Sequence, residues 1–304
     1  MFARKQLFAS QRRRMQMGLA AVLACGSFSA IAQERSPDPY PEIESKYLFG
    51  FTTGTDIGLE GEKEVSVETN GRFGKRGGDY RSFDHKLEFE FTPTQFMQFE
   101  LGVLGASHRI RDVPGLDDRN STSFAGLSGE FRYLLIGRGP GSPFGLTFSV
   151  EPEWARIDDT TGERVRKFET ELKLSADTEI VPNRVYAAVN ALYEPEWVRA
   201  YGERLDRESK VGLSTAVAFR LTPETAIGAE LGYFRAYEGL GLRKFEGQAL
   251  YVGPTLYVQL TKKTFVQAAW SSQVAGHSQD EPGRALDLDH FERHRAKLKL
   301  GIEF

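Results

Sequence analysis

The chain has 304 residues, of which 40% are hydrophobic, 12% aromatic and 27% charged, with one cysteine and a formal net charge of −3. That apolar content excludes a disordered chain. The lone Cys25 excludes a disulfide scaffold, and no stretch approaches the ~20 uninterrupted apolar residues that a membrane-spanning helix requires. A sequence this polar with 22 phenylalanines and 11 tyrosines is an unusual mixture.

The first residues read as an address. Arg4, Lys5, Arg12, Arg13 and Arg14 form a basic start with no acidic residue, Met15–Ala24 is short and apolar, and Ala30-Ile31-Ala32 supplies a small-x-small site. This is the pattern of a secretory signal peptide, residues 1–32, cleaved after Ala32. A rival is Val22-Leu23-Ala24-Cys25, similar to a lipoprotein box that would lipidate Cys25. Cleavage after Ala32 removes five basic residues and the only cysteine, taking the formal charge from −3 to −8. A cysteine-free mature chain suits an oxidising compartment, and the acidic balance argues against nucleic acid as a partner. Residues 33–61 follow as a Pro-rich linker (Ser36–Pro41) and a pre-barrel segment. In it Lys46–Ile57 also alternates, an awkward thirteenth strand candidate, and is expected to lie against the barrel or to enter its lumen.

From Glu62 onward apolar and polar residues alternate with period two, as strands with two unlike faces do. Phe83, His85, Leu87, Phe89 and Phe91 oppose Ser82, Asp84, Lys86, Glu88 and Glu90; Leu298, Leu300, Ile302 and Phe304 oppose Lys297, Lys299 and Glu303. Short turns such as Thr92-Pro93-Thr94 and Thr222-Pro223-Glu224 take turns with longer polar connections, the asymmetry between periplasmic and extracellular ends of an outer-membrane barrel. The predicted strands are 62–73, 80–91, 95–108, 121–135, 144–156, 164–176, 184–195, 206–221, 225–238, 245–260, 265–275 and 289–304. Together they predict an all-β fold: a single antiparallel up-and-down transmembrane β-barrel of about 12 strands over residues 62–304.

A soluble barrel would alternate too, so the export signal, the absence of cysteine and the last strand decide. Leu298-x-Leu300-Gly301-Ile302-x-Phe304 resembles the assembly signal of bacterial outer-membrane β-barrel proteins, with Leu300, Ile302 and Phe304 carrying the likeness. Leu48–Thr55 followed by Glu62–Phe73 is similar to uncharacterised proteobacterial barrels of porin-like type. The resemblance implies location in the bacterial outer membrane, contact with its lipid, and folding by the barrel-assembly machinery. It implies no defined activity.

With the apolar face toward lipid, the polar face lines the lumen. The candidate lining residues are Glu62, Glu64, Glu68, Asp84, Lys86, Glu88, Glu90 and Glu100 on early strands. Lys167, Glu169, Glu171 and Lys173 follow in the middle, and Arg293, Arg295, Lys297 and Lys299 on the last strand. Closure would set that basic ladder beside the Glu62–Glu68 row. Walls of opposite charge could screen small polar solutes in a narrow channel; alternatively the charges pair and fill a structural interior. A barrel-embedded hydrolase is a third possibility, with Asp84-His85, Asp289-His290 and Ser271/Ser272 with His277 as the available pairs. No G-x-S-x-G occurs. No cofactor is implied, and His290 and His294, some ~13 Å apart on a strand, are badly spaced for a metal. Asp117-Asp118 and Asp158-Asp159 read as solvated loop charges.

Overall fold

The computed structural model describes Tyr40, residues 43–139 and residues 141–304. The expected signal peptide, its cleavage after Ala32 and the Cys25 alternative lie outside them. The described chain forms β1 (Lys63–Phe73), β2 (Asp79–Thr94), β3 (Met97–Arg111), β4 (Arg119–Ile136), β5 (Phe144–Ile157), β6 (Arg164–Val181), β7 (Val185–Ala200), β8 (Asp206–Thr222), β9 (Thr225–Glu238), β10 (Lys244–Thr261), β11 (Thr264–Ser278) and β12 (His294–Glu303). Each strand pairs antiparallel with the next, and β12 pairs with β1 to close the barrel. Closure leaves no strand edge with unpaired backbone, which is what permits strands to sit in hydrocarbon.

The two faces are inside-out relative to a soluble protein. Outward-facing Leu101, Leu213 and Leu298 are 68%, 54% and 54% exposed, while inward-facing Glu88, Lys299 and Arg220 are 3%, 4% and 1% exposed. An apolar exterior around a charged interior requires lipid outside. Leu298, Leu300, Ile302 and Phe304 all lie exposed on that outer face of β12 and at its end. Phe73 stacks on Trp270 and meets Phe83 edge-on (ring centroids 5.6 and 5.4 Å), part of an aromatic outer band.

The last strand departs from expectation. It begins at His294 and not at 289, because the connection before it folds into the barrel mouth. Asp287 is fully buried there, and Phe291 packs with Phe234, Ala249 and Tyr251. Gly247 makes this possible: a Cβ on it would come within 1.8 Å of Asp287 Oδ2. The alternation through 289–293 is therefore broken, and Arg293 is exposed instead of lining the lumen. Tyr80, near the start of β2, points inward and is buried, its hydroxyl donating to the Thr160 carbonyl at 3.0 Å.

Candidate functional site: the lumen and its plug

Residues 43–61 enter the lumen at the short-turn end, periplasmic by the turn asymmetry, and return to the same rim before β1. A single 3-10 turn, Ser45–Tyr47, opens the segment. Leu48 and Phe49 are buried against Ala188 (β7), Ala216 and Ala218 (β8) and Ala226 (β9), with Tyr186, Tyr257 and Phe265 around them. The Tyr47 ring stacks on Phe265 at 4.3 Å. Small side chains at inward positions leave the room, and burying the Leu48 and Phe49 side chains contributes roughly 3–6 kcal/mol by side-chain transfer.

A non-strand backbone inside a barrel must find partners for its polar groups, and here wall side chains supply them. Phe51 N and Thr52 N donate to Glu230 Oε2 (2.8 and 3.1 Å), and Thr53 N donates to Asn190 Oδ1 (2.7 Å) while Asn190 Nδ2 donates to Thr53 O (2.8 Å). Thr55 N donates to Asp177 (2.8 Å), Arg132 donates to Gly54 O (2.9 Å), and Gln267 donates to Tyr47 O (3.1 Å) and to Phe49 O. At the rim Arg138 pairs with Asp56 and with Asp177 (2.6 Å). Gly145 leaves space for Thr55 Oγ1, which would lie 2.0 Å from a Cβ there. The alternation of Lys46–Ile57 is thus that of a plug in the lumen and not of a thirteenth strand.

Beyond the plug lies a charged cavity of about 410 Å³. Among the sequence candidates, Glu68, Asp84, Lys86, Glu88, Glu100, Glu169, Glu171, Lys173, Arg295, Lys297 and Lys299 line it. Glu64 and Glu90 lie lower and bond to the plug. Lys167 is buried between Glu169 (2.8 Å), Glu196 (3.2 Å) and Asp159 (3.5 Å). Glu62 stays at the turn before β1, accepting a bond from Leu59 N at 2.8 Å. Only the last two rungs of the basic ladder reach the acidic row: Lys297 lies 3.0 Å and Lys299 3.9 Å from Glu68, Lys299 being nearer to Glu88 of β2 at 2.5 Å, while Arg295 pairs with Glu292 at 3.2 Å. The walls do not carry opposite charge, however. Lys86 sits among Glu88, Glu100 and Glu151 at 2.9, 2.8 and 2.6 Å, so cations and carboxylates interleave.

The pairing register adds a feature invisible in the sequence. Glu303 lies opposite Glu64, Glu64 opposite Glu90, Glu90 opposite Glu100, and Glu100 opposite Glu130, a carboxylate row crossing β12, β1, β2, β3 and β4. Like charges directly opposite destabilise a sheet, so each needs a neutralising neighbour. Lys86 serves Glu100, and Arg132 serves Glu130 at 3.7 Å. Glu90 takes the Lys46 ammonium of the plug, and Glu64 takes the Tyr47 hydroxyl at 2.9 Å. Burial alone would lower the Lys46 ammonium; the Glu90 carboxylate, with Glu64 and Glu100 behind it, outweighs burial and holds the group above the ordinary lysine range.

Two connections narrow the opposite mouth. Asp159, expected to be solvated, turns inward: Arg72 holds its carboxylate at 2.8 Å, and its carbonyl accepts from Arg72 (3.0 Å) and Ser82 (2.7 Å). Burial would raise this carboxyl, but Arg72 and Lys167 hold it well below the usual range. In the β11–β12 connection, Arg76 from the β1–β2 loop pairs with Glu281 and Asp289, and Lys75 donates to the Asp289 carbonyl at 3.0 Å. His290 Nδ1 meets the Asp287 carboxylate at 3.2 Å, not Asp289.

The other candidate hydrolase pairs are separated. Asp84 bonds Arg72 in the lumen at 2.7 Å, while His85 lies on the outer face between Thr69 (3.0 Å) and Ser107 (3.3 Å). Ser271 bonds Glu230 at 3.2 Å, Ser272 bonds His294 Nδ1 at 2.9 Å, and His277 stacks on Phe245.

The chain belongs to the family of unknown function DUF6662, which it matches over residues 41–304. No curated protein matches it. Among solved structures it is similar to the COG4313 outer membrane channel from Pseudomonas putida F1, at 13% identity over 82% of this chain and 98% of that one, with a TM-score of 0.57. The beta domain of the Bordetella autotransporter BrkA aligns at 14% identity over 81% of this chain and 100% of that one, TM-score 0.50. The translocator domain of the autotransporter NalP from Neisseria meningitidis aligns at 12% identity over 82% and 89%, TM-score 0.50. At such identities the likeness is one of fold: the closed antiparallel barrel of bacterial outer-membrane proteins.

Proposed function

We propose that this protein is an outer-membrane channel for small polar solutes, held shut by its own residues 43–61. The observation that carries this reading is the way the plug is held. Its backbone bonds to wall side chains such as Glu230, Asn190, Asp177 and Gln267. Water can replace each of those bonds, at a net cost of about 1 kcal/mol for the neutral partners and about 1.5–3 kcal/mol for the carboxylates, so the segment can leave without opening the barrel's own ladder. Above it the lumen is already polar and holds space for solute. Departure of the plug would extend that space to the periplasmic rim, with Ala188, Ala216, Ala218 and Ala226 as its narrow-residue wall. The competing reading, a structural barrel with a filled interior, draws on the dense pairing of Lys86 with three carboxylates.

A reversible lock separates the two. Thr52 Oγ1 lies 3.0 Å from Ser214 Oγ on β8, and Cys25, the single cysteine, precedes the expected cleavage site. Thr52→Cys with Ser214→Cys in the mature chain therefore installs one disulfide between plug and wall. In planar bilayers, stepwise conductance in reductant that disappears on oxidation is expected. Equal conductance in both states would remove the plug as a gate. Silence in both states, from a barrel that still shows its heat-modifiable gel shift, would favour the filled interior.

A further inference from the structure

Lys46 is the only basic residue between Ile43 and Gly61, and it is placed beside wall carboxylates whose nearest wall cations, Arg132 and Lys299, are engaged elsewhere. Its ammonium is buried against Glu90, with Gln98 Oε1 at 3.2 Å. Gln98 in turn donates from its amide nitrogen to the other oxygen of Glu90, which fixes the orientation of both acceptors. Glu64 and Glu100 flank Glu90 directly in register on either side. Among the described residues no wall cation forms an ion pair with Glu64 or Glu90. Lys299 is engaged by Glu88, Lys86 by Glu88, Glu100 and Glu151, and the nearby Arg132 by Glu130 and the plug carbonyl of Gly54.

We infer that the wall at Glu90 and Gln98 is a binding site for a primary ammonium group, and that Lys46 occupies it as a tethered surrogate while the plug is seated. When residues 43–61 leave, the charge and the hydrogen-bond donors facing Glu90 leave with them, apart from the Gln98 amide. A free solute carrying an ammonium on an unbranched stem then presents what Lys46 presented: three donors, one positive charge and an alkyl chain. Glu303, Glu64 and Glu90, the members of the row without an ion pair to a wall cation among the described residues, give that cation successive partners from the periplasmic rim into the lumen. The solute class of the channel is accordingly cationic amines. This assignment of solute rests on the channel reading above, while the site itself is testable without current.

The test uses the refolded full mature chain in detergent micelles, with butylammonium as probe and 1-butanol at equal ionic strength as the neutral control. Lys46→Ala vacates the site and leaves an alkyl-sized void. Calorimetric titration is expected to give saturable one-to-one binding of butylammonium to this variant and none of butanol. Binding to the wild type should be at least tenfold weaker, because the tethered ammonium competes. Adding Glu90→Gln to Lys46→Ala should abolish binding; the double variant lacks both members of the pair, so it buries no lone charge. Lys46→Met, whose neutral side chain fills the void, should also fail to bind and serves if the double variant does not fold. Butylammonium binding that is equal in Lys46→Ala and Lys46→Met, that survives Glu90→Gln, or that is absent from Lys46→Ala would overturn the inference. A bilayer silent in every redox state together with Glu90-dependent amine binding would instead overturn the channel and keep the site.

Discussion

The two halves of the lumen solve the problem of a filled barrel in different ways. On β7 the inward positions run Tyr186, Ala188 and Asn190 at the periplasmic end, then Glu194 and Glu196 toward the opposite mouth. The lower half leaves space and lets a separate segment of chain fill it, with apolar contact at Leu48 and Phe49 and side-chain bonds to the backbone around them. The upper half fills its space with ion pairs and two inturned connections around a cavity of about 410 Å³. Small inward side chains mark where a plug goes; long charged ones mark where water stays. The difference teaches that a barrel wall is written for its contents; in the channel proposed above, one half empties while the other stays filled.

The largest way to break that contrast is Phe49→Ala. Phe49 is fully buried in the alanine pocket yet belongs to no strand. The substitution should cost the plug's seating about 3–5 kcal/mol and leave the barrel's thermal transition almost unmoved. Thiol labelling of a reporter Thr53→Cys from the periplasmic side should rise by two orders of magnitude or more. An unchanged rate would mean that the wall hydrogen bonds, not the apolar contact, hold the segment.

A smaller effect is expected in the upper half from Arg72→Ala. Arg72 joins Asp84 (2.7 Å) to Asp159 (2.8 Å), and all three groups are partly exposed. The loss should fall between the surface and buried limits for ion pairs, about 1–2 kcal/mol. Protease nicking within residues 158–163 should increase while plug labelling stays at the wild-type rate. Coupled changes at both ends would show that the halves are not independent.

The smallest effect concerns His290 in the inturned β11–β12 connection. Burial lowers its imidazolium, but the hydrogen bond and charge of Asp287 outweigh that, helped by Glu246 and Asp280, and the group titrates above its ordinary value. A raised folded value means that the charged pair's contribution is fully present below the unfolded value of about 6.5. It is lost as pH rises through the higher folded value. Seating of this connection should therefore weaken as the medium turns alkaline. Proton NMR titration of the His290 ring should place it above 6.5 in the wild type and lower in Asp287→Asn; no difference between the two would remove the pair as the cause.

Much of the fold was legible because strand periodicity is local. Each residue of β2 declares its face by parity, so twelve antiparallel strands, their polar interior and the outward Leu300, Ile302 and Phe304 follow from alternation alone. The same rule failed at Arg293, where a glycine at 247 on another strand admits Asp287 and breaks the alternation. It also failed at Asp159, whose inward turn depends on Arg72 across the mouth. The inward alanines of β7, β8 and β9 were the available signal for the plug, but a small residue at a lumen position has meaning only once its neighbours are known. By itself, then, the sequence determined the class, the strand count and which residues within the strands face inward, since those depend on neighbours in the chain. Tertiary structure alone decided which carboxylates share a row, that Lys46 neutralises Glu90 across 44 positions of sequence, and that residues 43–61 close the barrel from within. Those depend on pairing register and on the space left between distant strands, which local periodicity does not encode.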